Sequence, residues 1–189
     1  MMKKVLFFAY PTYVDFEIAH TLFFLRKLGK ALITTATIDG HEVESLGGLI
    51  TKAHLSLPEV TLADYDLLLI SGGDNVGEVM EDHTVQDFLC KANSLQMPIA
   101  AMCGSSVFLA QAGLLKGKSF TCNAITFEKF KSHFEGAEYT GNRVEVLDNI
   151  ITAKGAAFPE FTIAVIDKLG LWKDEDQRNG ALLFSKGEA

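Results

Sequence analysis

The sequence predicts an α/β fold: a mostly parallel central sheet between layers of helix. Three observations point there. Short, uniformly apolar runs alternate along the 189 residues with segments of helical periodicity. The apolar runs lack the polar alternation of a sheet with one wet face, so both faces must be covered. Strand–helix–strand order then implies right-handed crossovers, which set neighbouring strands parallel.

Residues 3–10, KKVLFFAY, read as a buried first strand rather than a leader, because the apolar part is short and no small-residue cleavage site follows it. Residues 16–30 carry apolar side chains at helical spacing and stop at Gly29. Residues 31–39, rich in Ile and Thr, are a strand. Residues 42–60 read as two or three short strands with a turn at Gly47-Gly48. YDLLLISGG, 65–73, is a buried strand, and 84–96 a helix. A strand over 98–103 and a helix over 105–115 follow, then a strand over 118–123 and a helix over 126–134. Residues 143–154 form a hairpin turning at Asp148-Asn149, and 158–170 a helix. The tail from Trp172 is a short helix that frays. With no linker, repeat or low-complexity tract, 1–189 is predicted to be one domain.

Composition narrows the function classes. A formal net charge of -7 argues against a nucleic-acid surface, which needs clustered Lys and Arg. No run approaches the roughly 20 apolar residues that cross a bilayer. Three cysteines are too few and too odd for a disulfide framework, which suits a reducing, cytoplasmic setting. Neither their spacing nor any histidine pair resembles a metal site, so no metal and no cofactor is expected.

In such folds ligands sit beyond the carboxyl ends of the strands. Three chemical groups converge on that edge: Cys103, Gly72-Gly73 and Glu17. In "AAMCGSS" the cysteine stands where a strand turns into a helix, the mechanics of a nucleophile elbow. Gly104 leaves the approach to sulfur open, and the helix N-terminus is expected to lower the thiol pKa. The Gly72, Gly73 and Gly104 amides are candidate donors to an oxyanion, although Gly72-Gly73 reads equally as a tight turn. Glu17 near the thiol is expected to hold a proton at raised pKa and donate to the thiolate. Its plain alternative is a helix N-terminal acid, with Asp15 competing as cap or acid. Cys90 reads as core, and Cys122 as a weak resolving thiol. His20 reads as packed, and His133 is the one histidine placed near the site. Tyr10, Tyr13 and Phe127 are set beside the site, with packing the commoner role.

With Glu17, "SGG" and "AAMCGSS" in place, the sequence resembles the ThiJ/PfpI family of the class I glutamine amidotransferase-like superfamily. The likeness runs from "KKVLFFAY" and "DFE" through "DLLLISGGDNVGEVMED" and "MPIAAMCGSSVFLAQAGLLKGKSFTC" to "YTGNRVEVLDNIITAKG" and "FPEFTIAVIDKLG", nearly the whole chain. It implies a flavodoxin-like three-layer sandwich, a homodimer, Cys103 as the elbow cysteine, Glu17 as its acid, and Gly72 and Gly73 as backbone donors. The chain departs from the family in places. Protease-like branches put histidine directly after the cysteine, where Gly104 stands. The deglycase-like branch carries a histidine before "YT…NRVE", where Glu138 stands. The isonitrile-hydratase branch prefers threonine after the cysteine and aspartate as the acid. The leading functional expectation is a cysteine-dependent stress-response enzyme of glyoxalase or deglycase type, whose substrate is a small carbonyl compound or its adduct. One alternative is a non-enzymatic redox sensor or chaperone-like protein using an oxidisable cysteine. Another is an amidotransferase-like hydrolase with its base drawn from His133 or a partner chain. Fold does not choose among them.

Overall fold

The computed structural model describes residues 2–188. In chain order it contains β1 (Lys4–Phe8), α1 (Asp15–Lys27), β2 (Leu32–Thr37), β3 (Val43–Glu44), β4 (Ile50–Thr51), β5 (Leu55–Ser56), β6 (Leu67–Ile70), α2 (Val76–Val79) and α3 (His83–Ser94). There follow β7 (Ile99–Met102), α4 (Ser106–Gln111), β8 (Ser119–Phe120), α5 (Ala124–Lys129), β9 (Glu138–Tyr139), β10 (Val144–Val146), β11 (Ile150–Ala153), α6 (Phe158–Leu169) and α7 (Glu175–Lys186).

A seven-stranded sheet, ordered β10-β11-β7-β6-β1-β2-β5, is parallel throughout except where β10 pairs antiparallel with β11. Every residue of β6, β7 and β11 is buried, which explains their unbroken apolar or small-residue sequences. From β1 the chain crosses through α1 to β2 on one side. From β6 it crosses through α3 to β7 in the opposite direction along the sheet. Right-handed connections therefore put α1 and α3 on opposite faces. α6 packs on α1 and α7, while α4 packs on α2 and α3. A buried hydrogen bond of 2.8 Å between the Thr21 and Thr162 hydroxyls fastens α1 to α6.

Under the carboxyl edge, Phe8, Tyr10 and Phe108 form a fully buried aromatic cluster. Each such ring contributes about 1.5–3 kcal/mol by leaving water. The Tyr10 hydroxyl donates to the Ser71 carbonyl at 3.0 Å, so its burial leaves no orphan donor.

Several boundaries differ from expectation. α4 is shorter than expected: the 3₁₀ turn Cys103–Ser105 takes its first residue, and it stops at Gln111, just before Gly113 at φ 72. The strand expected over 118–123 is only Ser119–Phe120, paired with β9 outside the main sheet. The predicted helix 126–134 is α5 followed by a separate 3₁₀ turn, Lys131–Phe134. The tail does not fray early. Asp174 caps α7 by accepting from the Gln177 amide, Gly187 closes it at φ 72, and Arg178 grips Asp167 of α6 at 2.9 Å. The hairpins at Gly47-Gly48 and Asp148-Asn149 form as β3–β4 and β10–β11. Among the described residues no helix is long and apolar enough to cross a membrane, and no cluster of three metal-ligating side chains occurs.

Candidate active site

β7 ends at Met102, and the next residue, Cys103, takes φ 56. Few non-glycine residues adopt that backbone region, and strain of this kind persists only where the surroundings hold it. Here the serines hold it. Ser105 Oγ accepts from the Met102 amide at 2.9 Å and donates to the Met102 carbonyl at 2.8 Å. Ser106 Oγ donates to the Cys103 carbonyl at 3.0 Å. The turn lifts Cys103 from the sheet into a cleft of about 250 Å³, shared with Gly73, Asp74, Asn123, Thr126 and Lys129.

Glu17, in the first turn of α1, is 2% exposed. Its Oε2 accepts from the Gly72 amide at 2.8 Å, with Ser71 Oγ at 3.5 Å, and its carboxyl group is hydrogen-bonded to Cys103. Two glycines make room for this meeting. A Cβ on Gly72 would stand 2.6 Å from Glu17 Oε2 and 3.0 Å from Cys103 Sγ. A Cβ on Gly155 would collide with Glu17 Oε1 and lie 3.3 Å from the same sulfur. Side-chain-free backbone on two sides is what lets acid and thiol share one gap.

Burial raises the Glu17 carboxyl above the ordinary carboxylate range, as expected; its hydrogen bonds to Cys103, Gly72 and Ser71 oppose this only partly. The thiol corrects the expectation. Burial first, and the Glu17 carboxylate second, push Cys103 well above a free cysteine, and the Gly104 amide only partly opposes them. Two acids that each resist ionising beside the other lose one proton and hold the second jointly. When Glu17 carries that proton, the repulsion that raises the thiol disappears and the acid becomes a donor to sulfur.

The sequence signature of the DJ-1/PfpI family matches residues 3–168. The chain belongs to the DJ-1/PfpI family. It is 27% identical over 186 residues to a Bacillus subtilis protein named uncharacterized protease YoaZ, covering 94% of this chain and 88% of that one. To DJ-1alpha of Drosophila melanogaster it is 30% identical over 172 residues, 88% of this chain and 77% of the relative. A crystal structure of a DJ-1 superfamily protein from Agrobacterium tumefaciens superposes with TM-score 0.86 over the full length of both chains at 22% identity, a likeness of fold.

Within this DJ-1/PfpI fold the sequence-predicted residues divide. Cys103, Glu17, Gly72, Gly73 and Gly104 meet at one edge. The Gly72 amide, however, is taken by Glu17, so it is not free for a substrate oxygen. Gly73 and Gly104 both line the cleft, so theirs are the two predicted amides that remain as candidates. His133 does not join them: its Nδ1 pairs with Gln111 Oε1 at 3.0 Å. Glu138 is exposed on β9, away from the cleft lining. Asp15 accepts from Ser45 Oγ at 2.6 Å and from the Gly47 amide at 3.1 Å, tying down the β3–β4 hairpin instead of serving the thiol. Tyr13 bonds Thr51, and Phe127 stacks on Tyr139 at 4.2 Å, so both pack rather than line the cleft. His20 packs edge-on to Phe158. Cys90 is exposed, not core, because its sulfur lies at the surface toward the Ala112 carbonyl. Cys122 is fully buried, its thiol pushed up to about 11 by burial.

Two residues escaped the sequence reading, Gly155 and Asn123. Asn123 Nδ2 donates to Cys103 Sγ at 3.0 Å, and its Oδ1 accepts from the Gly155 amide at 2.9 Å. An asparagine just before a short helix, one residue after a cysteine, reads as an ordinary cap. Nothing local in "TCNAIT" points back to residue 103.

Proposed function

We propose that this chain is a cysteine-dependent enzyme acting on small 2-oxoaldehydes such as methylglyoxal, or on their adducts. The observation that carries this is the strained elbow cysteine set against a buried glutamate, close enough for the two acids to exchange a proton. With Glu17 protonated, Cys103 sulfur attacks the aldehyde carbon: an S–C bond forms, the C=O π pair moves to oxygen, and that oxygen takes the proton from Glu17. Gly73 and Gly104 line the cleft where the oxygen charge develops, and their amides are the donors this step would use. The Glu17 carboxylate then removes the hydrogen on the former aldehyde carbon and returns a proton to the neighbouring carbon. The hydroxyl proton passes to the ketone oxygen, which leaves a thioester. Water cleaves the thioester, freeing a 2-hydroxy acid and restoring the thiol. No cofactor is needed for this balance.

The protease name of the Bacillus relative supports a hydrolytic reading less well, since none of the residues lining this cleft is a histidine that could protonate a leaving amine. A redox-sensing role draws support from the donors around the sulfur, which could also hold a sulfinate. In the same reading the chain works as a cytoplasmic homodimer. The exposed Phe16 and Phe23 of α1 and Phe184 of α7 supply an apolar face that such pairing would cover.

The test is proton NMR of methylglyoxal with wild type and Cys103→Ala. Wild type should form lactate and Cys103→Ala should not. Equal consumption by the two overturns the proposal. A gain of two oxygens at Cys103 under mild peroxide, with no turnover, would replace it with the sensor reading.

A further inference from the structure

We infer that Asn123 is a catalytic residue, whose side-chain amide stabilises negative charge on the Cys103 sulfur through a hydrogen bond from a donor that does not itself titrate. This rests on the cysteine-centred reading above but concerns the sulfur itself rather than the substrate.

Three observations carry it. First, Asn123 occupies the N-cap position of α5 yet makes no side-chain cap bond. Asparagine is among the best residues at that position because its side-chain oxygen serves the helix amides. Here that oxygen has been drawn away.

Second, both ends of the amide are committed, and their orientation is fixed by chemistry. The Gly155 N–H can only donate, so the atom facing it at 2.9 Å must be Oδ1. The reversed amide would set NH₂ against N–H. Nδ2 is therefore the atom left facing Cys103 Sγ at 3.0 Å, a donor aimed at the nucleophile. Third, the bridge spans separate parts of the chain, the elbow after β7, the start of α5 and the loop before α6, so it fixes the sulfur relative to Gly155.

The groups that titrate around the sulfur are Glu17 from α1 and Cys122 beside Asn123. Buried Tyr10 is near enough to feel the charge on the sulfur, and Asp74 and Lys129 line the cleft. Among the described residues Asn123 is the one whose side-chain amide donates to the sulfur, and that amide does not ionise. It stabilises charge on sulfur and takes no proton, so proton transfer falls to Glu17.

The experiment measures alkylation of full-length protein by chloroacetamide across pH, read at Cys103 by peptide mass because the exposed Cys90 also reacts. No carbonyl substrate enters, so a protein that fails to turn over methylglyoxal still tests this inference. Asn123→Leu should slow alkylation at neutral pH by about ten- to a hundredfold, the worth of a hydrogen bond to a charged group. Its pH profile should move to higher pH. Asn123→Asp keeps the acceptor for Gly155 and the size of the side chain, but loses the donor and adds repulsion. It should slow alkylation at least as much, and it serves if the leucine variant loses its native circular dichroism. Either folded variant reacting within about twofold of wild type, with an unmoved profile, would overturn the assignment; the expected loss is well beyond that margin.

Discussion

The gap at the carboxyl edge of the sheet and the seam between α6 and α7 both join charged or polar side chains, but on opposite terms. At the seam, Arg178 meets Asp167 through three hydrogen bonds of 2.9–3.2 Å, with both side chains about a third exposed. Water can replace either partner there. At the gap, Glu17 is buried, Cys103 is strained, and two glycines leave no room for a methyl group. Good hydrogen-bond geometry alone therefore does not mark a functional site. What separates the two places is whether solvent can take over when a partner is lost.

Substitutions should expose that difference in order of size. Gly72→Ala places a Cβ 2.5 Å from that of Cys103, so backbone must shift. It should cost about 1–3 kcal/mol in urea unfolding and disturb Cys103 alkylation as well. Gly155→Ala meets mainly side-chain atoms, Glu17 Oε1, Cys103 Sγ and Asn123 Nδ2. The acid must turn aside, so methylglyoxal turnover should fall by about a hundredfold while the melting temperature changes little. Turnover retained in this variant would mean that the gap is looser than the contacts indicate.

Glu17→Gln sharpens the electrostatic side. The Glu17 carboxyl is raised in the folded chain, so that state binds more protons than the unfolded one above about pH 4.3, the ordinary glutamate value. The stability it lends is whole below that pH and is lost as pH rises through the folded value. Wild type should thus lose stability with rising pH relative to Glu17→Gln in urea melts at several pH values; parallel curves would contradict the raised carboxyl. Arg178→Ala should matter least, about 0.2–1 kcal/mol, with Cys103 alkylation unchanged.

The sheet was legible in the sequence because burial on both faces leaves nothing but apolar and small residues in "VLFF", "LLLI" and "IAAM", and that signal is local. Glu17, Cys103 and the glycines were legible for a related reason: each stands at the end of such a strand or just after one, where topology alone makes them converge. Asn123 and Gly155 were not, since their roles exist only through contacts across 20 and 32 residues of chain. The α7 helix was misjudged because its anchor, Asp167, belongs to a different helix. The thiol was misjudged because helix-end polarity can be read from letters, whereas the burial that outweighs it cannot.

The hydroxyl-to-hydroxyl tie between Thr21 and Thr162 has a mechanical consequence. Glu17 rides on α1, and the 3₁₀ turn that begins at Gly155 leads directly into α6, so the two sides of the gap around the sulfur sit on helices joined by that bond. Parting the two helices to widen the gap must break that buried bond, which disfavours openings of that kind.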